Sequence, residues 1–273
     1  MTEEEFIEAV IGDASTPEDI FFNLASARGF LLERDAGKLF CSDNGARKDS
    51  EYLAKILGDC EIGSIVDTGR RNSVSRIREP EILINHPENL PQLGHALFAG
   101  EAPISDEMIF RLQSWRQFRG MRYAPKVEVQ YLEPYVARYV KALNACGIRT
   151  ESSCDGHHAQ RKALFVLTQQ DMMFAWHKFL WENYLQRIFP EIPWDADFTT
   201  IRLRRGGFRN YYLLNQAAAY LYERRIVLRD IRYQAAHPIM YSQYRVNPEA
   251  AFQRFLDNAD AMIKEQKVFE IRT

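Results

Sequence analysis

Apolar residues recur at helical spacing in some stretches of this chain and at alternate positions in others, and the two periods divide it into elements. Pro17 to Ala27 reads as a helix. Ser15 or Thr16 can cap it, Pro17 suits the first turn, and Glu18 and Asp19 favour the positive end of the helix dipole. Phe30 to Glu33 and Lys38 to Cys41 read as strands split by an Asp35-Ala36-Gly37 turn. Lys48 to Leu57 sets Tyr52, Leu53, Ile56 and Leu57 on one helical face, with Gly58 beyond its end. Strands over Glu61 to Val66 and Ser73 to Ile77 follow, then helices over Pro87 to Leu97 and Ser105 to Phe118.

Gly120 and Pro125 punctuate the chain, and the helical pattern stops between them. Val127, Val129 and Tyr131 then alternate with polar residues, which predicts a strand. Pro134 to Cys146 is an amphipathic helix with Tyr135, Val136, Tyr139, Val140 and Leu143 on one stripe, closed by Gly147. Strands over Ile148 to Ser153 and Ala163 to Leu167, a helix over Asp171 to Ile188, a strand over Phe198 to Leu203 and a helix over Asn210 to Arg224 complete the second half. From Arg225 the pattern is mostly helical, ending in a short strand over Val268 to Ile271.

The two halves run alike, and their first helices end in similar junctions, Ala27-Arg28-Gly29-Phe30 and Ala145-Cys146-Gly147-Ile148. The reading is an α+β protein with two similar αββαββα lobes, helices packed on antiparallel sheets, arising from an internal duplication. A rival parse places one ferredoxin-like βαββαβ unit over 127–203. The domains expected are 1–120, 121–236 with the Ser-Ser-Cys turn, and a helical extension over 237–273.

Composition narrows the classes. The chain has 273 residues, 46% hydrophobic and 26% charged, which excludes disordered, collagen-like and disulfide-scaffold classes. The net charge of −2 gives no global basic field. The acidic start Met1-Thr2-Glu3-Glu4-Glu5 does not read as a secretory signal, and no apolar run approaches the roughly 18 residues of a membrane span. Four irregularly spaced cysteines, Cys41, Cys60, Cys146 and Cys154, suit a reduced cytoplasmic protein.

The repeated αββαββα pattern, with its Ala-x-Gly junctions, resembles the LAGLIDADG homing-endonuclease fold over roughly residues 16–225. In that family two copies sit side by side, each first helix delivers an acid just before the glycine, and a curved sheet is laid on DNA. This chain carries Arg28 and Cys146 at the acid positions. Metal-dependent cleavage needs carboxylate oxygens, so the resemblance implies DNA binding of the kind seen in relatives with degenerate sites.

The densest chemistry lies in Glu151-Ser152-Ser153-Cys154-Asp155-Gly156-His157-His158, at a predicted strand end. Cys154 beside His157 can act as a thiolate nucleophile, with Asp155 or Glu151 orienting the imidazole. Cys154, His157 and His158 could instead hold zinc or another divalent metal, completed by His86, Cys60, Cys41 or Cys146. Asp155-Gly156 is also an ordinary turn pair. The Ser-Ser-Cys-x-Gly run is similar to a strand end of the tRNA wybutosine-synthesizing protein 3 family, with His157 in place of an arginine.

Arginines gather elsewhere. Arg202, Arg204, Arg205 and Arg209 lead into Asn210 at a helix start, and Arg224, Arg225, Arg229 and Arg232 follow. Arg70, Arg71, Arg76 and Arg78 form a second cluster; Arg111, Arg116, Arg119, Arg122 and Lys126 form a third. Arginine forks bind phosphates and stack on bases, so nucleic acid or a phosphate-bearing small molecule is the expected partner. Alternate arginines on a strand also make an ordinary solvated face. Three functions stay open: a nucleic-acid-binding protein, an enzyme centred on Cys154 and His157, and an assembly protein whose aromatic helices form an interface.

Overall fold

A computed structural model describes residues 1–42, 45–71, 79–99, 115–120, 126–156, 164–168, 170–197, 200–204 and 206–269. The protein is α+β, as its periodicities predict. The elements run α1 (Glu3–Ile11), α2 (Pro17–Arg28), β1 (Leu32–Asp35), β2 (Lys38–Cys41), α3 (Arg47–Asp59), β3 (Gly63–Val66), β4 (Glu81–Ile84), α4 (Leu90–Phe98) and α5 (Trp115–Gly120). They continue α6 (Pro134–Ala145), β5 (Thr150–Cys154), β6 (Leu164–Thr168), α7 (Gln170–Leu180), α8 (Gln186–Ile188), β7 (Trp194–Asp197), β8 (Thr200–Leu203), α9 (Phe208–Glu223), α10 (Arg225–Ala236), α11 (Tyr241–Val246) and α12 (Pro248–Glu265). The order αββαββα therefore occurs from α2 to α4 and from α6 to α9, if the α7–α8 break is read through, and α5 lies between the two.

Contacts divide the chain into two compact units, Met1–Ser105 with Lys126–Lys141 and Gly207–Asn215, and Asp106–Pro125 with Ala142–Gly206 and Gln216–Thr273. The division passes through α6 and α9 and cuts across the contiguous stretches 1–120, 121–236 and 237–273.

In the first unit the helix starts are built as the residues dictate. Thr2 and Glu5 form a reciprocal capping box on α1, and the Thr16 hydroxyl accepts the Asp19 amide at 3.1 Å ahead of Pro17. The sheet is antiparallel in the order β1-β2-β4-β3. Leu32, Leu39 and Ile82 point to the core, 5%, 2% and 5% exposed. Phe6, Phe98, Tyr135 and Tyr211 form an aromatic cluster, with Tyr135 stacked on Phe98 at 5.3 Å and on Tyr211 at 4.6 Å. Gly29 ends α2 at φ 104°, where an added Cβ would lie 3.0 Å from Ala137 of α6, so the close helix contact and the left-handed backbone both call for glycine.

The strand expected over Val127 to Tyr131 is instead a one-turn 3₁₀ helix, Val129–Tyr131. Its backbone pairs with buried side chains rather than with a neighbouring strand. Asp49 accepts the Val129 amide at 2.8 Å, Arg28 donates to the carbonyls of Val129 and Leu132 at 3.2 and 3.0 Å, and Lys141 donates to that of Val127 at 2.5 Å. Val127 and Val129 are buried and Glu128 and Gln130 less so, which gives alternate burial without a sheet, while Tyr131 is exposed and does not share the buried side. The ferredoxin-like parse loses its first strand and does not hold. Sequence periodicity also passed over α1, β4 and β7. Ile82-Leu83-Ile84 of β4 is a continuous apolar run, and β7 is only four residues long.

The second unit carries an antiparallel sheet of the same form, β5-β6-β8-β7. Ile201 and Leu203 are buried, 2% and 0% exposed, while Arg202 between them is exposed. The long helix expected over Asp171 to Ile188 is present, but Trp181–Leu185 between α7 and α8 takes π-helical form. The core collects Trp115, Phe118, Trp176 and Phe255, and the Trp115 indole donates to the Ile239 carbonyl at 3.1 Å. Val268 and Phe269 lie beyond α12 outside any strand. The strand expected over Ser73 to Ile77, and most of the helix over Ser105 to Phe118, lie outside the described residues; 115–118 begin α5.

Candidate functional site

The helix-end junctions set the first test of chemistry. Arg28 and Cys146 are both buried, 4% and 0% exposed. Arg28 holds the backbone carbonyls named above, and the Cys146 thiol donates to the Leu221 carbonyl at 3.5 Å. Burial pushes the Cys146 thiol up to about 12, so it stays protonated. Neither junction presents a carboxylate.

Cys154 closes β5 and is half-buried. The sheet register puts it in one cross-strand row with Phe165 of β6, Arg202 of β8 and Asp195 of β7. The Gly156 amide donates to its sulfur at 3.3 Å. Asp155 is 1% exposed, which places it in the interior of the turn rather than at a surface. Glu151 lies earlier on β5. His157 and His158 lie outside the described residues. Among the described residues no three His, Cys, Asp or Glu side chains gather as metal ligands. Cys41, Cys60 and His86 belong to the first unit, and burial pushes the Cys41 thiol up to about 12. The described donors therefore do not assemble a zinc site around Cys154, and none of the four cysteines is in a disulfide.

The expected phosphate-binding residues fall on several different elements. Arg202 and Arg204 are exposed at the end of the second sheet, with Arg204 3.9 Å from Asp195. Arg209 and Asn210 open α9 and belong to the first unit. Arg119 donates to the His237 carbonyl at 2.9 Å. Arg205 and Arg122 lie outside the described residues. The rest of the long arginine run is largely structural. Arg224 donates to the carbonyls of Val268 and Tyr220, Arg225 to that of Tyr222, and fully buried Arg232 to that of Phe118.

On the first sheet the face opposite the core carries Glu33, Asp35 and Glu81 against Lys38. Arg70 lies over the Phe40 ring at 3.9 Å and pairs with Asp35 at 2.6 Å and Glu79 at 3.2 Å. That face is acidic, whereas the second sheet presents Arg202 beside Asp195.

A feature with no sequence motif appears on the second unit. A cleft of about 430 Å³ opens between the π-helical turn and the end of α12. Asn183, Tyr184 and Arg187 come from one side, and Asp260, Lys264, Lys267 and Phe269 from the other. The Tyr184 hydroxyl donates to Asp260 at 2.5 Å, and Lys264 donates to the second Asp260 oxygen at 2.5 Å. Burial and the neighbouring carboxylate hold the Tyr184 phenol well above its usual range. The two groups of residues are far apart in the chain, so spacing could not have joined them. The only local signal is Lys267 directly after a helix, where glycine is usual.

No protein-family model, curated protein or solved structure matches this chain.

Proposed function

We propose that this protein binds duplex DNA through the outer face of its second sheet, without cleaving it. The observation that supports this is the repeated αββαββα order with two sheets of one strand order, combined with buried, non-carboxylate residues at both helix ends. Arg202 and Arg204 supply the phosphate contacts. At the position where the resembled family carries its acid, Arg28 has a structural role, since its guanidinium holds the Val129–Leu132 backbone. The acidic outer face of the first sheet repels phosphate, so the contact is one-sided.

The test is fluorescence anisotropy with a labelled duplex between 50 and 200 mM salt, for the native chain and R202A/R204A. Each lost phosphate contact lowers the slope of log K against log salt by about 0.9, so the double variant should lose roughly 1.8. An unchanged slope, or no binding at the lowest salt, defeats the proposal.

A further inference from the structure

The cleft between the π-helical turn and the end of α12 does not include Arg202 or Arg204 and stands apart from the DNA reading. We infer that it binds the phosphate monoester of a small organic molecule.

Charge is the first support. Arg187, Lys264 and Lys267 line the cleft against the single carboxylate Asp260. Asp260 is already engaged by Tyr184 and Lys264. Neither Arg187 nor Lys267 has a carboxylate partner among the described residues. The surplus is two positive charges, and a phosphate monoester carries about −1.5 to −2 near pH 7. A guanidinium fork beside an ammonium suits phosphate oxygens better than it suits a single carboxylate.

Backbone geometry is the second support. Asn183 and Tyr184 enter the cleft from a π-helical turn, a rare form that recurs at functional sites. Lys267 sits at φ 49°. The bonds around it, Lys267 amide to Lys264 carbonyl at 3.2 Å and Val268 amide to Ile263 carbonyl at 3.1 Å, are those of a Schellman cap. Lysine stands at the position where such caps favour glycine, so the chain tolerates a strained residue to bring an amine to the cleft.

The walls are the third. Phe269 stacks on Tyr184 at 4.7 Å and lies next to Tyr220 at 6.1 Å, and the Arg224 guanidinium covers Tyr220 at 3.4 Å. This ladder makes one wall rigid and apolar, suited to the organic part of the ligand. The volume falls within the roughly 300–1,000 Å³ of small-molecule sites.

The probe is phenyl phosphate, titrated calorimetrically into the full chain at fixed ionic strength, with inorganic phosphate, sulfate and phenol as comparisons. Saturable binding of phenyl phosphate, weaker binding of inorganic phosphate and none of phenol are expected. R187Q/K267G should weaken phenyl phosphate at least tenfold while the melting temperature holds, because both side chains are exposed and glycine suits the Lys267 backbone. R202A/R204A should leave this binding unchanged. No saturable binding, equal binding of sulfate, or equal affinity in R187Q/K267G would overturn the inference. K267G alone separates binding from folding, since it removes the amine and relaxes the cap.

Discussion

Asp49→Asn should destabilise the protein far more than an exchange of one carboxylate for an amide normally does. Asp49 is 6% exposed and Lys141 2% exposed, and their side chains meet at 2.5 Å. Burial pulls the Lys141 amine below its usual range, and the Asp49 carboxylate opposes that pull. The carboxylate also accepts the Val129 amide at 2.8 Å and the Ala46 amide at 2.9 Å. The neutral amide would keep one acceptor and leave the buried ammonium with the Val127 carbonyl but no counter-charge, at a cost of about 3–5 kcal/mol. Lys141→Met should cost less, about 2 kcal/mol, because Asp49 keeps both backbone donors. D49N/K141M should cost no more than D49N alone, a coupling energy of about 2 kcal/mol. The assay is urea denaturation followed by far-ultraviolet circular dichroism. Trp115, Trp176, Trp181 and Trp194 all lie in the second unit, so fluorescence gives a separate view of that unit. Costs that simply add, with coupling below about 0.5 kcal/mol, would show that the pair does not stabilise as an ion pair and refute the reasoning.

Other predictions follow from buried groups. His177 is fully buried, and desolvation lowers it from 6.5 to about 3, so the unfolded chain binds a proton that the folded chain refuses. Its contribution is complete above pH 6.5 and lost as pH falls, by about 2 kcal/mol at pH 5; His177→Gln should flatten the stability profile between pH 6.5 and 4, and an unchanged slope counts against it. Gly29→Ala should cost about 2–4 kcal/mol in thermal melts, from left-handed strain plus the close approach of Ala137. A cost under about 0.5 kcal/mol would mean that α2 and α6 shift apart freely. Arg232→Met should be neutral or stabilising by about 1 kcal/mol, since Arg232 makes one hydrogen bond to Phe118 and leaves Nε and Nη2 buried without a partner. A loss above about 2 kcal/mol would show that the guanidinium holds α10 to α5.

Local rules carried the helices and failed where pairing is long-range. The caps of α2 and α6 and the α3 stripe could be read directly, because Pro17, Thr16, Gly29 and Gly147 act within one turn. β4 could not, because Ile82-Leu83-Ile84 has no alternation and is fixed as a strand only by partners in β2 and β3. The Val127 to Tyr131 alternation misled for a related reason. Burial alternates there, but Asp49, Arg28 and Lys141 take the place of a neighbouring strand. Cys154 lies at a strand end, as the sequence predicts. Its row with Arg202 and Asp195 depends on a register with a bulge between Thr150 and Ser152, which composition does not encode.

The arginines show why charge counted along a chain overstates charge at a surface. Eight arginines between Ile201 and Tyr233 look like a phosphate-binding track. On α10 the helical period turns several of them toward the interior and its carbonyls instead. Arg232 is wholly buried, and Arg224 and Arg225 lie along tyrosine rings at 3.4 and 4.0 Å. An aliphatic stem that covers apolar surface, with a fork that meets carbonyls, makes arginine a packing residue as readily as a phosphate ligand. Arg202 and Arg204 escape this fate because strand alternation buries Ile201 and Leu203 and leaves the residues between and beyond them outside. Arg187 escapes it for a different reason. It follows the π-helical turn, whose extra residue shifts the side-chain phase away from the α-helical stripe. Arg202, Arg204, Arg187 and Lys267 thus reach the surface at positions in or beside backbone that is not regular α-helix, and they add to exposed cations such as Arg254 and Lys264 on α12 itself.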